Sequence, residues 1–289
     1  MSLVEQTIAR LKKAQGQVAG LDPPGRVSRT AAPSHDSDPL DEAANRISVD
    51  STALRAAGYL PEPGKERQFA DQYRRIKRPL IDRALSGDAT AGDPRMIMVT
   101  SALPGDGKTF TGINLALSMS LERDITVLLI DADVAKRHVS QIFGLDARPG
   151  LLDALADERR EVAPVIVPTT TRGLSILPAG SRVPNTAELL SSSRMGKLMA
   201  SLCARDPRRI LLLDSAPLLV TNEGAALVKV VGQVVLVVRA GQTPRHAVKA
   251  AVGLFDANQA GGVVLNEVPG GSTGEYYGYG SYGTDRPQT

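Results

Sequence analysis

The pattern of apolar residues in this chain changes near residue 96. From there on, short runs of consecutive apolar residues alternate with segments of helical spacing. The runs are MIMVT at 96–100, VLLID at 127–131, LSILPAG at 174–180, ILLLD at 210–214, VVLVV at 234–238 and GVVLN at 262–266. Uninterrupted apolar runs are typical of parallel strands covered on both faces. The pattern predicts an α/β fold with a doubly wound, mostly parallel sheet and helices on both faces.

The two ends of the chain lack this pattern. Residues 1–19 place apolar side chains at helical spacing and predict a short amphipathic helix. Residues 20–45 are rich in Pro, Ser, Asp and Gly and predict a flexible linker. Residues 269–289 have no aliphatic side chain to bury and predict a disordered tail. One compact domain is therefore expected over residues 46–268.

The segment before the first apolar run has the pattern of an amphipathic helix. Its apolar side chains share one helical stripe, which consists of Phe69, Tyr73, Ile76 and Leu80. Basic side chains occupy the other faces, and the simplest interpretation of such a charge run is a solvated helix face. Because Pro79 has no backbone N–H, we expect it to kink or interrupt this helix.

One segment between an apolar run and a helical segment matches the Walker A pattern. It reads Ala102-Leu-Pro-Gly-Asp-Gly-Lys-Thr109. Its glycines allow backbone N–H groups to converge on phosphate oxygens. Lys108 would supply a positive charge to the β- and γ-phosphates and Thr109 a hydroxyl to Mg²⁺, beside the positive end of the helix dipole. The implied cofactors are ATP and Mg²⁺, and the candidate ATP-binding residues here are Pro104, Gly105, Asp106, Gly107, Lys108, Thr109 and Phe110.

Three aspartates stand at the ends of apolar runs. Asp131 and Asp133 follow one run, and Asp214 ends another. Because parallel strands present their carboxyl ends at one edge of the sheet, all three should face the same crevice as the Walker A segment. We predict that they act with Lys108 in catalysis, and that Asp131 and Asp214 join Thr109 as magnesium ligands. For any one of these aspartates, a helix N-cap is the alternative.

Composition narrows the classes of function. The 289 residues are 42% hydrophobic, enough for one large domain, and the formal charge of +3 is too small to argue for nucleic acid. The single cysteine, Cys203, excludes an internal disulfide and offers no zinc-site spacing. The first residues lack the apolar core of a signal peptide, and no run is long enough to span a bilayer. These features predict a cytoplasmic protein.

Taken together, the motifs resemble the bacterial tyrosine kinases of capsule and exopolysaccharide synthesis, specifically the stand-alone cytoplasmic autokinases of exosortase-linked polysaccharide clusters. The resemblance covers the N-terminal helix and a series of segments: DQYRRIKRPLI, the Walker A segment, VLLIDAD, LPAGSRVPNTAELLSSSRM, ILLLDSAPLLV and YYGYGSYG. It implies a P-loop fold related to MinD and ParA and a non-specific protein-tyrosine kinase activity. The Walker segments alone mark a broad class of ATPases, and their pairing with a tyrosine-rich tail makes the match specific.

The resemblance also implies roles for particular residues. Asp131 corresponds to the family's candidate for activating the acceptor hydroxyl, and Asn266 to a position near the adenine. Residues Asp71, Arg74 and Lys77 align with a Glu-x-x-Arg-x-x-Arg pattern that packs into a neighbouring subunit, which implies a homo-oligomer. The expected autophosphorylation sites, modified in an adjacent subunit, are four of the chain's six tyrosines: Tyr276, Tyr277, Tyr279 and Tyr282.

Asp71 and Lys77 depart from the Glu-x-x-Arg-x-x-Arg pattern by substitutions that preserve the charge, and two loop positions depart from the family pattern as well. Arg137 stands where related sequences usually have proline, and Ala216 replaces the first of two prolines after the Walker B run. Either change could alter the loop geometry.

The family context implies partners and a location. A membrane chain-length regulator would activate the kinase, a cognate tyrosine phosphatase would reverse its modification, and the partner would hold a cytoplasmic protein at the inner membrane. The expected function is regulation of exopolysaccharide synthesis and export, without nucleic acid.

Two alternatives remain at this stage. A MinD/ParA-type positioning ATPase is disfavoured by Leu103, which stands where such proteins generally carry a signature lysine. A non-kinase, ATP-dependent scaffold of a polysaccharide export complex is compatible with the motifs.

Overall fold

The computed structural model describes residues 46–87, 92–157, 159 and 161–268. Seven strands of this part form one sheet in the order β3-β4-β2-β5-β1-β6-β7. Their bounds are Met96–Ser101 (β1), Thr126–Ala132 (β2), Val167–Pro168 (β3), Leu174–Leu177 (β4), Arg209–Ser215 (β5), Gln233–Arg239 (β6) and Ala260–Asn266 (β7). All neighbouring strands are parallel except β3, which runs antiparallel to β4.

Helices cover both faces of the sheet, because alternate side chains of each strand point to opposite sides. The helices in chain order are Ser51–Ala56 (α1), Glu66–Ser86 (α2), Lys108–Ser120 (α3), His138–Ile142 (α4), Leu151–Ala156 (α5), Thr186–Ser191 (α6), Ser193–Arg205 (α7), Asn222–Val228 (α8) and Arg245–Val252 (α9). The side chains of α2, α3 and α4 pack into one buried cluster, and those of α5 to α9 pack into the other. The predicted doubly wound α/β architecture is confirmed.

The sheet differs from the sequence prediction at its two edges. Strand β3 was not predicted, and β4 ends at Leu177 instead of continuing to residue 180. Strand β7 has the edge position beyond β6, and Val263 and Leu265 on it are 38% and 54% exposed. Burial on both faces therefore holds for the central strands and is wrong for β7.

Helix α2 continues through Pro79, so the expected interruption does not occur. Buried side chains anchor the helix on both sides of the proline, with Tyr73 before it and Leu80 and Ala84 after it. This packing offsets the loss of one backbone hydrogen bond. The helix ends where Gly87 adopts a left-handed conformation with φ of 73°.

The charged face of α2 is not uniformly solvated. Lys77 is buried, and its Nζ donates a hydrogen bond to the carbonyl oxygen of Ser118 at 2.6 Å. The same ammonium lies 2.9 Å from Oε1 of Glu122. Ser118 belongs to the last turn of α3, whose carbonyls have no partner within their own helix. Lys77 therefore stabilises the C-terminal end of α3, and its assignment to a solvated face is wrong.

We expect Lys77→Met to destabilise the fold by about 1–2 kcal/mol, because Ser118 would lose its donor and Glu122 its cation. The urea midpoint at constant m-value measures this change. Arg78→Met, at an exposed position of the same helix, serves as the control and should change stability by less than about 0.5 kcal/mol. Equal midpoints for the two variants would contradict the capping role of Lys77.

The predicted N-terminal helix over 1–19, the linker over 20–45 and the tail over 269–289 lie outside the described residues. Within the part of the chain that the structure describes, no helix is both long and apolar enough to cross a membrane.

Candidate active site

The Walker A segment forms the loop between β1 and α3. Helix α3 begins at Lys108, directly after Gly107, so its free N–H groups open toward the loop. Gly105 and Gly107 have φ of 87° and 94°, a region that residues with a Cβ rarely adopt. A Cβ on Gly107 would lie 2.0 Å from Nδ2 of Asn266, whereas a Cβ on Gly105 would meet nothing within 4 Å.

We expect Gly107→Ala to destabilise the protein more than Gly105→Ala. Both substitutions impose a left-handed conformation on alanine, at a cost of about 1–2 kcal/mol, but only Gly107→Ala must also displace Asn266. Urea unfolding measures the difference between them. In the Gly107→Ala background, Asn266→Ala should restore part of the lost stability, and further destabilisation by this second change would refute the crowding argument.

Hydrogen bonds of the Asp106 and Asn266 side chains fix the Walker A loop to the rest of the domain. Asp106 is buried, and its carboxylate accepts hydrogen bonds from Leu103 N at 3.1 Å and from Thr243 Oγ1 at 2.7 Å. Asn266, at the end of β7, donates from Nδ2 to the backbone oxygen of Asp106 at 3.1 Å. The end of β7 and the segment after β6 therefore fix the backbone of this loop.

Lys108 lies in a buried ion pair at the start of α3. Its Nζ is 2.6 Å from Oδ2 of Asp133, and both side chains are almost fully buried. Burial favours the neutral amine, but the negative charges of Asp214 and Asp133 outweigh it and raise the pKa of Lys108. Lys108 is therefore an ammonium at neutral pH and can supply the positive charge that a polyphosphate requires.

Thr109 and Asp214 form the second contact of the site. Thr109 Oγ1 donates to Oδ2 of Asp214 at 2.7 Å, while Oδ1 of Asp214 is buried without a hydrogen-bond partner among the described residues. Burial is the main cause that raises the pKa of Asp214 to about 7, and the positive charge of Lys108 opposes it. A buried carboxylate oxygen without a donor is costly, and a cation would satisfy it.

Asp131 lies directly beside Asp214, because β2 and β5 pair with these two residues opposite each other. Its Oδ2 accepts from the backbone N of Ser140 at 2.7 Å and from Ser140 Oγ at 2.6 Å. Its Oδ1 is buried without a partner in the described ranges. Burial raises the pKa of Asp131 to about 6, although the two hydrogen bonds from Ser140 lower it. Asp131 is not the N-cap of α4, which is Arg137, but its Oδ2 bonds to Ser140 in the first turn of that helix, and its Oδ1 has no partner among the described residues.

The donor set fits a hard divalent cation. Two unpartnered carboxylate oxygens, on Asp131 and Asp214, stand beside the Thr109 hydroxyl, and all are oxygen ligands of the kind that Mg²⁺ prefers. Among the described residues, no cluster of three or more His, Cys, Asp or Glu side chains forms a metal cage. Magnesium typically uses one or two carboxylates and takes its other ligands from water and phosphate.

Comparison with known proteins identifies the relatives of this chain. No family model matches it. The tyrosine-protein kinase wzc of Salmonella typhimurium is 34% identical over 189 residues, which are 65% of this chain and 26% of wzc, so the chain spans about a quarter of that relative. The tyrosine-protein kinase YwqD of Bacillus subtilis is 31% identical over 221 residues, which are 74% of this chain and 86% of YwqD. The chain belongs to the bacterial tyrosine-protein kinase family.

Solved structures agree with this assignment. The kinase domain of the Escherichia coli tyrosine kinase ETK superposes with a TM-score of 0.61 at 29% identity, covering 73% of this chain and 80% of that domain. The VpsO kinase domain superposes with a TM-score of 0.53 at 31% identity, covering 68% of this chain and 98% of that domain. The chain therefore has the fold of bacterial tyrosine-kinase domains.

The fold brings the predicted P-loop and aspartate residues together, but not all of the predicted oligomerisation residues. Lys108, Thr109, Asp131, Asp133 and Asp214 converge where β1, β2 and β5 end. Asp71 and Arg74 are exposed on α2 and pair at 2.5 Å. Lys77 is buried against α3 within its own chain, so it is not available on the surface in this conformation. The four predicted acceptor tyrosines lie outside the described residues.

The two departures from the family pattern have different structural consequences. Arg137 precedes α4 with φ of 57°, a conformation that proline cannot adopt, so this loop differs locally from one with proline there. Ala216 is buried, and its carbonyl oxygen accepts a hydrogen bond from Thr100 Oγ1 at 3.0 Å.

Sequence reasoning missed three residues that border the site. Thr243 donates a hydrogen bond to Asp106, and Ser140 donates one to Asp131. The third residue is the half-buried Tyr59. The pKa of its phenol is raised, first by burial and then by the negative charge of Asp214. None of them lies in a recognisable motif. Only Ser140, nine residues after Asp131 in a helical segment, had a sequence position that could have suggested its contact.

Proposed function

We propose that this bacterial tyrosine kinase transfers the γ-phosphoryl group of ATP to tyrosines of its own C-terminal tail. The observation that carries this proposal is the pair of unpartnered carboxylate oxygens on Asp131 and Asp214, next to the Lys108 ammonium at the start of α3. A site with one fixed cation and a place for a second is suited to a polyphosphate. The acceptors proposed are Tyr276, Tyr277, Tyr279 and Tyr282.

The P-loop residues would divide the binding of Mg-ATP among them. Backbone N–H groups of Gly105, Asp106 and Gly107, in the loop that Pro104 begins, and the Lys108 ammonium would hold the phosphates. Thr109 and Asp214 would ligate Mg²⁺, Asp131 would contribute to the metal site through a bound water so that its Oδ1 can accept the tyrosine proton, and Phe110 and Asn266 would border the base. Mg-ATP supplies the transferable phosphoryl group and part of the charge neutralisation that its transfer requires.

Asp131 is the group proposed to accept the proton of the acceptor tyrosine. Its pKa of about 6 leaves it ionised at neutral pH, and its Oδ1 is not engaged by the protein's described residues. As the tyrosine oxygen bonds to the γ-phosphorus, the bond to the leaving ADP oxygen breaks and the phenolic proton passes to Asp131. Ser140 would hold the other oxygen of Asp131 and thereby fix its orientation.

The assembly and location of the kinase belong to the same proposal. We infer that the tail is phosphorylated by an adjacent subunit in a homo-oligomer, to which the exposed residues Asp71 and Arg74 contribute. The proposed partners are a membrane chain-length regulator that activates the kinase and a tyrosine phosphatase that reverses it. This arrangement places the kinase in the cytoplasm at the inner membrane and links it to exopolysaccharide synthesis and export.

Mass spectrometry after incubation of the purified protein with Mg-ATP tests the activity. Phosphotyrosine is expected within residues 276–282 and should disappear when all four tyrosines are changed to phenylalanine. Turnover of ATP without any phosphotyrosine would instead indicate a positioning ATPase or an ATP-dependent scaffold.

A mixing experiment tests transfer between subunits. A chain ending at residue 268 supplies the active site, and full-length Lys108→Met supplies the tail. Phosphotyrosine on the Lys108→Met tail supports transfer between chains. If that tail stays unmodified while the unmodified full-length protein, assayed in parallel, phosphorylates its own tail, transfer between chains is contradicted.

A further inference from the structure

The Walker A loop carries a carboxylate, although it is the loop proposed to bind phosphates. Asp106 stands between Gly105 and Gly107, and it is only 4% exposed. A carboxylate that pointed toward the phosphate-binding N–H groups would compete for them and would repel a bound anion. The Asp106 side chain therefore has to be held in another direction for a polyphosphate to bind.

Hydrogen bonds from two parts of the chain fix the direction of this carboxylate. Oδ2 of Asp106 accepts from the backbone N of Leu103 at 3.1 Å, which is a contact within the loop itself. Oδ1 accepts from Thr243 Oγ1 at 2.7 Å, across 137 positions of the chain. Both partners are donors, as an anionic carboxylate requires. The bond from Thr243 is thus the one that joins the carboxylate to a different element.

The Thr243 hydroxyl is itself fixed in direction. It accepts a hydrogen bond from the backbone N of Arg239 at 2.9 Å, which leaves its single proton for Asp106. The backbone N of Thr243 donates to the oxygen of Arg239 at 3.0 Å and closes the turn that follows β6. This turn is joined to β7, because the backbone N of Ala240 donates to the oxygen of Asn266 at 2.8 Å. The hydroxyl therefore stands on a turn that two strands hold in place.

We propose that Thr243 is a positioning residue for nucleotide binding, because its hydroxyl keeps the Asp106 carboxylate out of the phosphate site. The inference rests on the proposed function, in which the N–H groups of this loop hold the phosphates. Without the hydroxyl, Oδ1 of Asp106 would be buried without that donor and would turn to other donors of the loop. Those donors, the loop N–H groups and the Lys108 ammonium, are the ones proposed to bind phosphate, so the affinity for nucleotide would fall.

Isothermal titration of the full chain with Mg-ADP measures this effect without the transfer reaction. Thr243→Val keeps the shape of the side chain but lacks the hydroxyl. We expect it to raise the Kd about tenfold, which corresponds to the loss of one hydrogen bond to a charged group. Thr243→Ser keeps the hydroxyl and should bind nearly as tightly as the unmodified protein. Thr52→Val makes the same change at an exposed position of α1 and is the matched control.

A second substitution tests whether the charge of Asp106 is the reason. Thr243→Val combined with Asp106→Asn removes the negative charge from the loop, so it should bind Mg-ADP more tightly than Thr243→Val alone. A merely structural role of Thr243 predicts no such gain, because the double variant does not restore the lost hydrogen bond. In the autophosphorylation assay, Thr243→Val should raise KM for ATP and leave kcat nearly unchanged, as expected for the loss of uniform binding.

Three results would each overturn the proposal: equal Kd values for Thr243→Val and Thr52→Val, no recovery in Thr243→Ser, or no gain in the double variant. Urea midpoints show which variants are folded, and Thr243→Ala, which also lacks the hydroxyl, replaces Thr243→Val if the valine variant does not fold. Weaker binding of Mg-ADP by Thr243→Val, with no phosphotyrosine in the unmodified protein, would support this proposal and reject the kinase activity. An unchanged Kd in Thr243→Val, with phosphotyrosine in the unmodified protein, would do the reverse.

Discussion

Lys108→Met is expected to lower tail autophosphorylation by at least about 10³-fold, because it removes the ammonium that we propose neutralises the phosphates. The substitution also leaves Asp133 buried without its counter-charge. Phosphotyrosine on residues 276–282, measured by mass spectrometry under saturating Mg-ATP, gives the activity. The urea midpoint gives the stability.

Two further variants separate catalysis from folding. Lys108→Met combined with Asp133→Asn removes both charges, so it should regain stability relative to Lys108→Met but remain inactive. Lys197→Met makes the same change at an exposed position of α7 and should retain full activity and stability. Autophosphorylation by the double variant at the level of the unmodified protein would refute the role of Lys108.

The central strands could be predicted because burial on both faces leaves a clear mark in the sequence. Runs such as ILLL at 210–213 contain no polar residue that could face water, and the structure places them in the middle of the sheet. The two edges lack this signal. Strand β3 has only two residues, one of them proline, and β7 has exposed valine and leucine that a composition rule assigns to the interior.

The sequence predicts that the candidate site residues lie at the ends of strands, but it does not predict how they are arranged in space. The sequence shows that Asp131 and Asp214 end apolar runs, yet it does not give the strand order that places β2 beside β5. Contacts between distant single residues are also hidden. Thr243 bonds to Asp106 across 137 positions of the chain, and a lone threonine after a strand carries no motif.

Lys77 illustrates a different limit. Helical periodicity correctly put Phe69, Tyr73, Ile76 and Leu80 on one stripe, but it treats every lysine outside the stripe as solvated. The long lysine side chain instead reaches the carbonyl of Ser118 at the end of a neighbouring helix. Only the packing of α2 against α3 reveals this contact.

Asp214→Asn is expected to abolish most activity while stabilising the protein at alkaline pH in the absence of nucleotide and metal. The activity should fall by at least about 10²-fold, because the variant lacks the anionic oxygen that we propose binds Mg²⁺. The gain in stability follows from burial, which raises the pKa of Asp214 to about 7 from a usual value of 3.8. The folded state then holds a proton that the unfolded state has released.

The sign of the pH dependence follows from this raised pKa. The stabilising contribution of protonated Asp214 is fully present below pH 4 or so and is lost as the pH rises through about 7. Asparagine stays neutral, so the advantage of the variant should already be about 1–2 kcal/mol at pH 5 and should rise toward an upper bound of about 4 kcal/mol at pH 8. Asp131, with a pKa raised to about 6, leaves a smaller residual pH dependence in the variant. Urea unfolding at pH 5 and pH 8 measures the stability difference between Asp214→Asn and the unmodified protein. Asp82→Asn, at an exposed position of α2, is the control. If Asp214→Asn were less stable than the unmodified protein at pH 8, burial of the ionised Asp214 would not be destabilising.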